Sequence, residues 1–519
     1  MVAVPESCEI AAVGVHRVSL LICLLGCDRV AAPPPHPRQA RQELLSLELT
    51  ELHYNPLGEG SVLGDEYEFV ELKNSGPTPL SLTDVAFTKG IDYAFDDGTV
   101  IASGQFLVVA SNATAFEDRY GFAPSGQYAG KLSNAVDRIT LSDLPADAVI
   151  ASVEYQDRSP WPAEADGDGR SLVPLAADLG DDPTRPVHWR SSFSIHGSPG
   201  SEDPPVAYVN EVLAHTDPPL KDSIELFNPN QFELDVGGWF LTDDGAMPLK
   251  YEIPPGTMLP ARGFGVFDQD AFNADPDSPT SFGLSEHGED VYLVADTSGC
   301  PISYCNEFTY GDMENGVAFG RHVTSLGEVH LVNLQTPTLG AENAPPATGS
   351  LIITEVMYSP PPGQDEYLEL QNTGTTDLSL SEPSLSEHTW KIDGMSFAFP
   401  PSVTLAPGEI VLVVPSATDE EAFRSQYDVP ADVRVFAGAA DLADFANTLA
   451  LLKAWKPYDE DDLQILPFIV VETMAFTSTA PWPPEASGTG SALHRRDPSA
   501  YANDPVNWEA APPSPGIER

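Results

Sequence analysis

The chain has 519 residues, 42% of them hydrophobic, and its 50 prolines and 40 glycines exclude a fold of long helices. Length alone suggests about three or four domains. With 25 basic against 78 acidic residues the formal net charge is −53, which repels phosphate backbones and anionic head groups and so excludes nucleic acid as a partner.

At the N-terminus, His16 and Arg17 precede an apolar run over 18–25, and Leu24-Leu25-Gly26-Cys27 closes it. The run is shorter than the roughly 20 residues a bilayer span needs, and it suits the hydrophobic region of a signal peptide. Its last four residues resemble a bacterial lipobox. That resemblance implies a signal peptide over 1–26, lipidation of Cys27, and export to the cell envelope, with the membrane reached through the lipid alone. The true start is expected near Val15. Of five cysteines, Cys300 and Cys305 would then remain, and CPISYC is expected to close a small disulfide loop in an oxidising compartment. The proline-rich stretch within 27–45 is expected to be an extended stalk.

The rest of the chain repeats one plan three times. LTELHYNP (49–56), VNEVLAHT (209–216) and ITEVMYSP (353–360) are versions of one segment; EFVELKNSG (68–76), DSIELFNPN (222–230) and EYLELQNTG (366–374) follow them. A third set is LSLTDVAFT (80–88), LDVGGWFLTDD (234–244) and LSLSEPSL (378–385). A fourth begins at 98, 256 and 402, and a fifth at 131, 282 and 443. These short runs, rich in Val, Leu, Ile, Phe and Tyr between turn residues, predict strands. In the second set Val70 and Leu72 flank Glu71, Ile224 and Leu226 flank Glu225, and Leu368 and Leu370 flank Glu369, a period of two with one buried face. Only 115–121 and 420–428 predict helical turns.

The order TEV-Y-P, then E-Y-x-E-L-x-N-x-G, then G-x-x-L-x-x-G-x-x-L-V-V, then L-S-N, then PWP with G-x-G-S-L resembles the lamin tail domain. The resemblance implies an all-β chain of three tandem immunoglobulin-like antiparallel β-sandwiches, over 46–200, 206–342 and 350–517. The middle copy departs most, lacking PWP and carrying the cysteine loop. SPG (198–200), TPTLG (336–340) and SPG (514–516) close the copies, with 201–205 and 341–349 as linkers. PVHW (186–189) answers PVNW (505–508), so Trp189 and Trp508 are expected to seal the sandwich ends.

Catalytic templates fail: HExxH, GxSxG and a P-loop are all missing. Ser198 beside His196 belongs to the closing SPG rather than to a hydrolase. The 11 histidines lack metal-ligand spacing, and His287 reads as an exposed turn residue. Glu51, Glu211 and Glu355 recur in the first strand as Glu71, Glu225 and Glu369 do in the second. An acidic pair for a cation or for proton transfer is one reading. Recurrence in every copy favours the other, in which each carboxylate bonds a loop or neighbouring strand. SPWPAEADGDGRSL (159–172) places Asp166 and Asp168 among glycines, and its counterpart APWPPEASGTGSAL (480–493) keeps Trp482 for Trp161 and Gly488 and Gly490 for Gly167 and Gly169, but replaces both aspartates. The stretch therefore reads as a turn that pins a sandwich end, with Ca²⁺ at Asp166 and Asp168 as a secondary candidate and no other cofactor expected. The functional expectation is a non-enzymatic envelope scaffold that binds a protein or cell-surface partner. The alternatives are an accessory subunit of a secreted or envelope nuclease or phosphoesterase, and a Ca²⁺-dependent adhesin.

Overall fold

A computed structural model describes residues 40–175, 184–295, 304–456 and 466–518. The expected signal peptide, most of the expected stalk and Cys27 lie outside the described residues. The chain is nearly all β, and its sheets fall into three groups along the sequence.

In the first group a six-stranded sheet runs Trp189–Ser191, Leu172–Pro174, Leu47–His53, Phe69–Asn74, Phe106–Ala110, Gly126–Gln127. It faces a four-stranded sheet of Ala148–Gln156, Val136–Asp143, Val85–Lys89 and Tyr93–Ala94. The third group repeats this order, from Arg434–Ala439 through Ile410–Pro415, Tyr367–Asn372, Leu351–Met357 and Ala492–Arg495 to Trp508–Ala511. The middle group has five strands, from Phe264–Asp268 through Ser223–Phe227, Tyr208–Leu213 and Phe319–Val323 to Val329–Asn333, with a second sheet of four. Each group has its own apolar core between its two sheets.

The period-two pattern explains which face is buried. Val70 and Leu72, Ile224 and Leu226, and Leu368 and Leu370 point into the three cores. The opening strand is not a simple alternation. Its register shifts between Leu49 and Glu51, between Val209 and Glu211, and between Ile353 and Glu355. Such a bulge adds one residue to one strand. It lets Leu49 and Leu52, three apart, both reach the core while Glu51 stays on the outer face. Each bulge sets the first glutamate directly opposite the second: Glu51 against Glu71, Glu211 against Glu225, Glu355 against Glu369.

Helix Ala113–Tyr120 starts on the Asn112 side chain, which accepts from the amides of Thr114 and Ala115 at 3.0 and 3.2 Å, and stops at Gly121 with φ +77°. Helix Glu420–Tyr427 starts on Asp419 in the same way. Phe116 and Phe423 press these helices onto the outer sheet face. A four-residue helical turn, Gln269–Phe272, stands in their place in the middle group.

The third set of sequence segments does not form single strands. Leu80–Ser81 and Val85–Lys89 are separate, as are Leu234–Asp235 and Phe240–Thr242, because the chain crosses between them from a two-stranded ladder, with Val100–Ile101 or Met258–Leu259, to the four-stranded sheet. Asp84 takes a left-handed φ of +60° at that crossing in the first group.

Candidate functional site

The recurring glutamates meet the closing turns. In the first group Glu51 accepts from the Ser198 amide at 2.9 Å and the Ser198 hydroxyl at 3.4 Å, while Glu71 accepts from the Gly200 amide at 2.5 Å. In the middle group Glu211 accepts from the Thr338 amide at 2.8 Å and hydroxyl at 2.7 Å, and Glu225 accepts from the Gly340 amide. In the third, Glu355 accepts from Ser514 at 3.0 Å (amide) and 3.2 Å (hydroxyl), and Glu369 from the Gly516 amide at 2.6 Å. The remaining oxygens are used as well: Thr50, Asn210 and Thr354 donate to the second glutamate at 2.8, 2.8 and 2.7 Å. Each pair is a clasp that holds a Ser/Thr-x-Gly turn over the outer sheet face. The turn glycines have φ of +89°, +86° and +84°, the region that glycine alone enters freely.

Both glutamates of each clasp are buried, and burial sets their electrostatics. Desolvation pushes Glu71 and Glu225 up to about 7 and raises Glu211. Glu51 is raised well above the carboxylate range, by desolvation first and by the Glu71 charge second. The amide and hydroxyl donors act in the opposite direction. Chemically the clasps bind backbone. Ser198, the residue beside His196 that a hydrolase reading would use, has its hydroxyl on Glu51 and on Asp203 at 3.0 Å.

The PWP loops dock on the second residue after the opening strand. The Asn55 side chain donates to the Asp166 carboxylate at 2.7 Å, and the Gly488 amide donates to the Ser359 carbonyl at 2.8 Å. Gly167 and Gly169 have φ of +91° and +92°, Gly488 and Gly490 +69° and +90°. A Cβ on Gly169 would lie 2.7 Å from the Leu57 side chain. Asp168 is exposed. Among the described residues no group of three or more His, Cys, Asp or Glu is arranged to hold a metal ion.

Trp161 lies 6.3 Å from Trp189, and Trp482 lies 6.2 Å from Trp508, so each PWP tryptophan packs against the closing one. The Trp508 indole donates to the Ala502 carbonyl at 2.7 Å. The middle group has no such tryptophan pair; its Tyr304 donates to the Ala207 carbonyl, just before the opening strand, at 2.6 Å and stacks on Phe193 at 5.3 Å. Cys305 opens the adjoining strand Cys305–Tyr310 and is disulfide-bonded; Cys300, its expected partner, lies outside the described residues. His287 is half-buried rather than exposed, with carboxylate oxygens of Glu286 and Asp312 3.5 and 3.4 Å from its ring nitrogens.

Two findings had no counterpart in the sequence reading. Asp203, in an expected linker, ion-pairs with Arg190 at 2.6 Å with both side chains buried, and accepts from the Phe193 amide. Asn343, in the other, donates to Asn210 at 3.4 Å and to the Arg321 carbonyl at 2.9 Å. Their only sequence signal is a polar residue at fixed distance from a closing glycine, which is too common to single out.

Residues 42–157 and 344–456 each match the family described as Lamin Tail Domain. No curated protein matches. Among solved structures, the chain matches a DUF4876 family protein from Bacteroides thetaiotaomicron VPI-5482 at 11% identity, over 43% of this chain and 88% of that chain, with a TM-score of 0.21. No structural equivalence is drawn at that score.

Proposed function

We propose that this is a bacterial, lipid-anchored envelope protein in which three lamin-tail-like sandwiches, the middle one divergent, act as a non-enzymatic scaffold for a protein partner. One observation carries the binding role. In the first and third groups the outermost antiparallel strand is covered by a parallel strand, Gly126–Gln127 on Phe106–Ala110 and Arg434–Ala439 on Ile410–Pro415. In the middle group Phe264–Asp268 is the edge, with no strand beyond it among the described residues.

Register makes the comparison residue by residue. Val108, Leu412 and Val266 each stand opposite the second clasp glutamate. The Val108 carbonyl accepts from the Ser125 amide at 2.7 Å. Val108 and Leu412 are 2% and 0% exposed beneath their helices, whereas Val266 is 43% exposed. An unpaired edge with an apolar face is a template for an added strand. We assign that edge to an extended peptide of the partner.

The test uses the mature chain and a Val266→Pro variant, which removes one backbone donor from the edge. The wild type should capture an envelope protein that the variant loses at unchanged stability. Capture that ignores Val266→Pro, or turnover of nuclease, esterase or phosphatase substrates abolished by a single substitution, overturns the reading. Cys27→Ser should release the protein from membranes and abolish lipid labelling; a variant still membrane-bound removes the anchor.

A further inference from the structure

The outer face of the first group holds a polar cluster that the fold does not require. His53 ends the opening strand and is fully buried, its ring set against the Gly169 backbone and neither nitrogen in a well-formed hydrogen bond. Arg119, on the helix, has a buried side chain whose guanidinium stacks 3.1 Å from the Tyr67 ring. Its Nη2 donates to the Leu57 carbonyl at 2.9 Å and the guanidinium also meets the Tyr120 hydroxyl, while Nε and Nη1 are buried outside any well-formed hydrogen bond. His196 is held at a left-handed φ of +74° by its amide, which donates to the Gly169 carbonyl at 2.7 Å, and by its carbonyl, which accepts from Tyr120 at 2.8 Å. Its Nδ1 is buried and also lacks a hydrogen-bond partner.

The other two groups fill the same positions with residues that need no buried partner. Two residues after the first clasp glutamate they carry Leu213 and Met357 where the first has His53. Two residues before the closing Ser/Thr the middle group carries Thr336, whose side chain is exposed, and the third carries Pro512, where the first has His196. In the third group Gln426 precedes the helix-ending tyrosine where the first has Arg119. Buried polar atoms with unmet hydrogen-bonding capacity are costly and rare, so three residues that carry them together need an explanation other than packing. Burial, with the Arg119 charge adding to it, holds both imidazoles below their ordinary range and therefore neutral at pH 7.

We infer that Arg119, His53 and His196 form a binding site for an oxyanion, a carboxylate or a phosphate monoester, entered where Glu59 now sits. Glu59 is a loosely seated internal carboxylate, 72% exposed and 3.7 Å from Arg119 Nη2. Arginine with free N–H groups is suited to oxyanions of either kind.

Inorganic phosphate and acetate, titrated separately into the full chain by calorimetry, test the site. At least one should bind saturably at one site, and Glu59→Gln should tighten it by removing the internal competitor. Arg119→Gln and His53→Met, each the third group's residue, should weaken binding by about tenfold or more and leave the fold intact. No saturable binding of either probe to the wild type or Glu59→Gln overturns the inference. So does binding that Arg119→Gln leaves unchanged, or unfolding of both copied-residue variants, which marks the cluster as structural.

Discussion

At the scale of single residues the clasp glutamates make two predictions. Glu71 and Glu225 titrate near 7 in the folded chain and near the ordinary carboxylate value when unfolded. The folded state therefore binds more protons between those values. Stability is full below about pH 4.5, falls as pH rises toward about 7, and is level above, by at most about 3 kcal/mol per group. Urea unfolding at pH 5 and pH 8 should show the higher midpoint at pH 5, and Glu225→Gln should shrink that difference. Equal slopes in wild type and variant would exclude Glu225 as a contributor. The second concerns Gly340, where a Cβ would meet no atom within 4 Å. Gly340→Ala should still cost about 1 kcal/mol, through its positive φ alone, read as a lower denaturant midpoint with unchanged slope. Gly516→Ala should cost more, because its Cβ would lie 2.8 Å from Val433. Recurrence in the sequence favoured an architectural reading of these glutamates. It did not identify their partners, because Ser198, Thr338 and Ser514 stand 147, 127 and 159 residues further along.

At the scale of elements the tryptophan pairs show how far local pattern carries. Both PWP and the closing Pro-Val-x-Trp were legible as recurring motifs, yet nothing local says that they touch. Contact follows only once Leu172–Pro174 pairs with Trp189–Ser191, and Ala492–Arg495 with Trp508–Ala511. Trp482→Ala should cost about 3–5 kcal/mol as a large buried side chain. A double-mutant cycle with Trp508→Phe should return a coupling of about 0.5–1.5 kcal/mol, and a value near zero would mean that each ring packs independently. Strand existence was likewise readable from alternation, while the bulges and the sheet crossing near Asp84 were not. Both are set by the need to keep two residues three apart in one core, which a period of two cannot express. The shortened helix of the middle group was visible only as the lack of a counterpart to 115–121.

At the scale of the whole molecule the balance of charge decides which contacts matter. Only 25 basic residues face 78 acidic ones, so most carboxylates have no cation to pair with. Buried pairs such as Arg190–Asp203 and Arg495–Glu472, both at 2.6 Å, use cations where water is excluded. Arg190–Asp203 lies where the first group passes into the middle one, beside the Phe193–Tyr304 stack. The sequence presented 201–205 as a plain linker because an Asp among prolines carries no mark of its partner. Raising NaCl from 10 to 150 mM shortens the Debye length from about 30 to about 8 Å and should raise the melting temperature by screening surface repulsion. The buried pair should not follow. Arg190→Met strands the Asp203 carboxylate out of water and should cost about 3–5 kcal/mol, by a margin that stays constant across that salt range. A margin that disappears in 150 mM salt would reassign Arg190 to general charge balance. A constant one makes this pair the buried fastener that holds the linker onto the first sandwich.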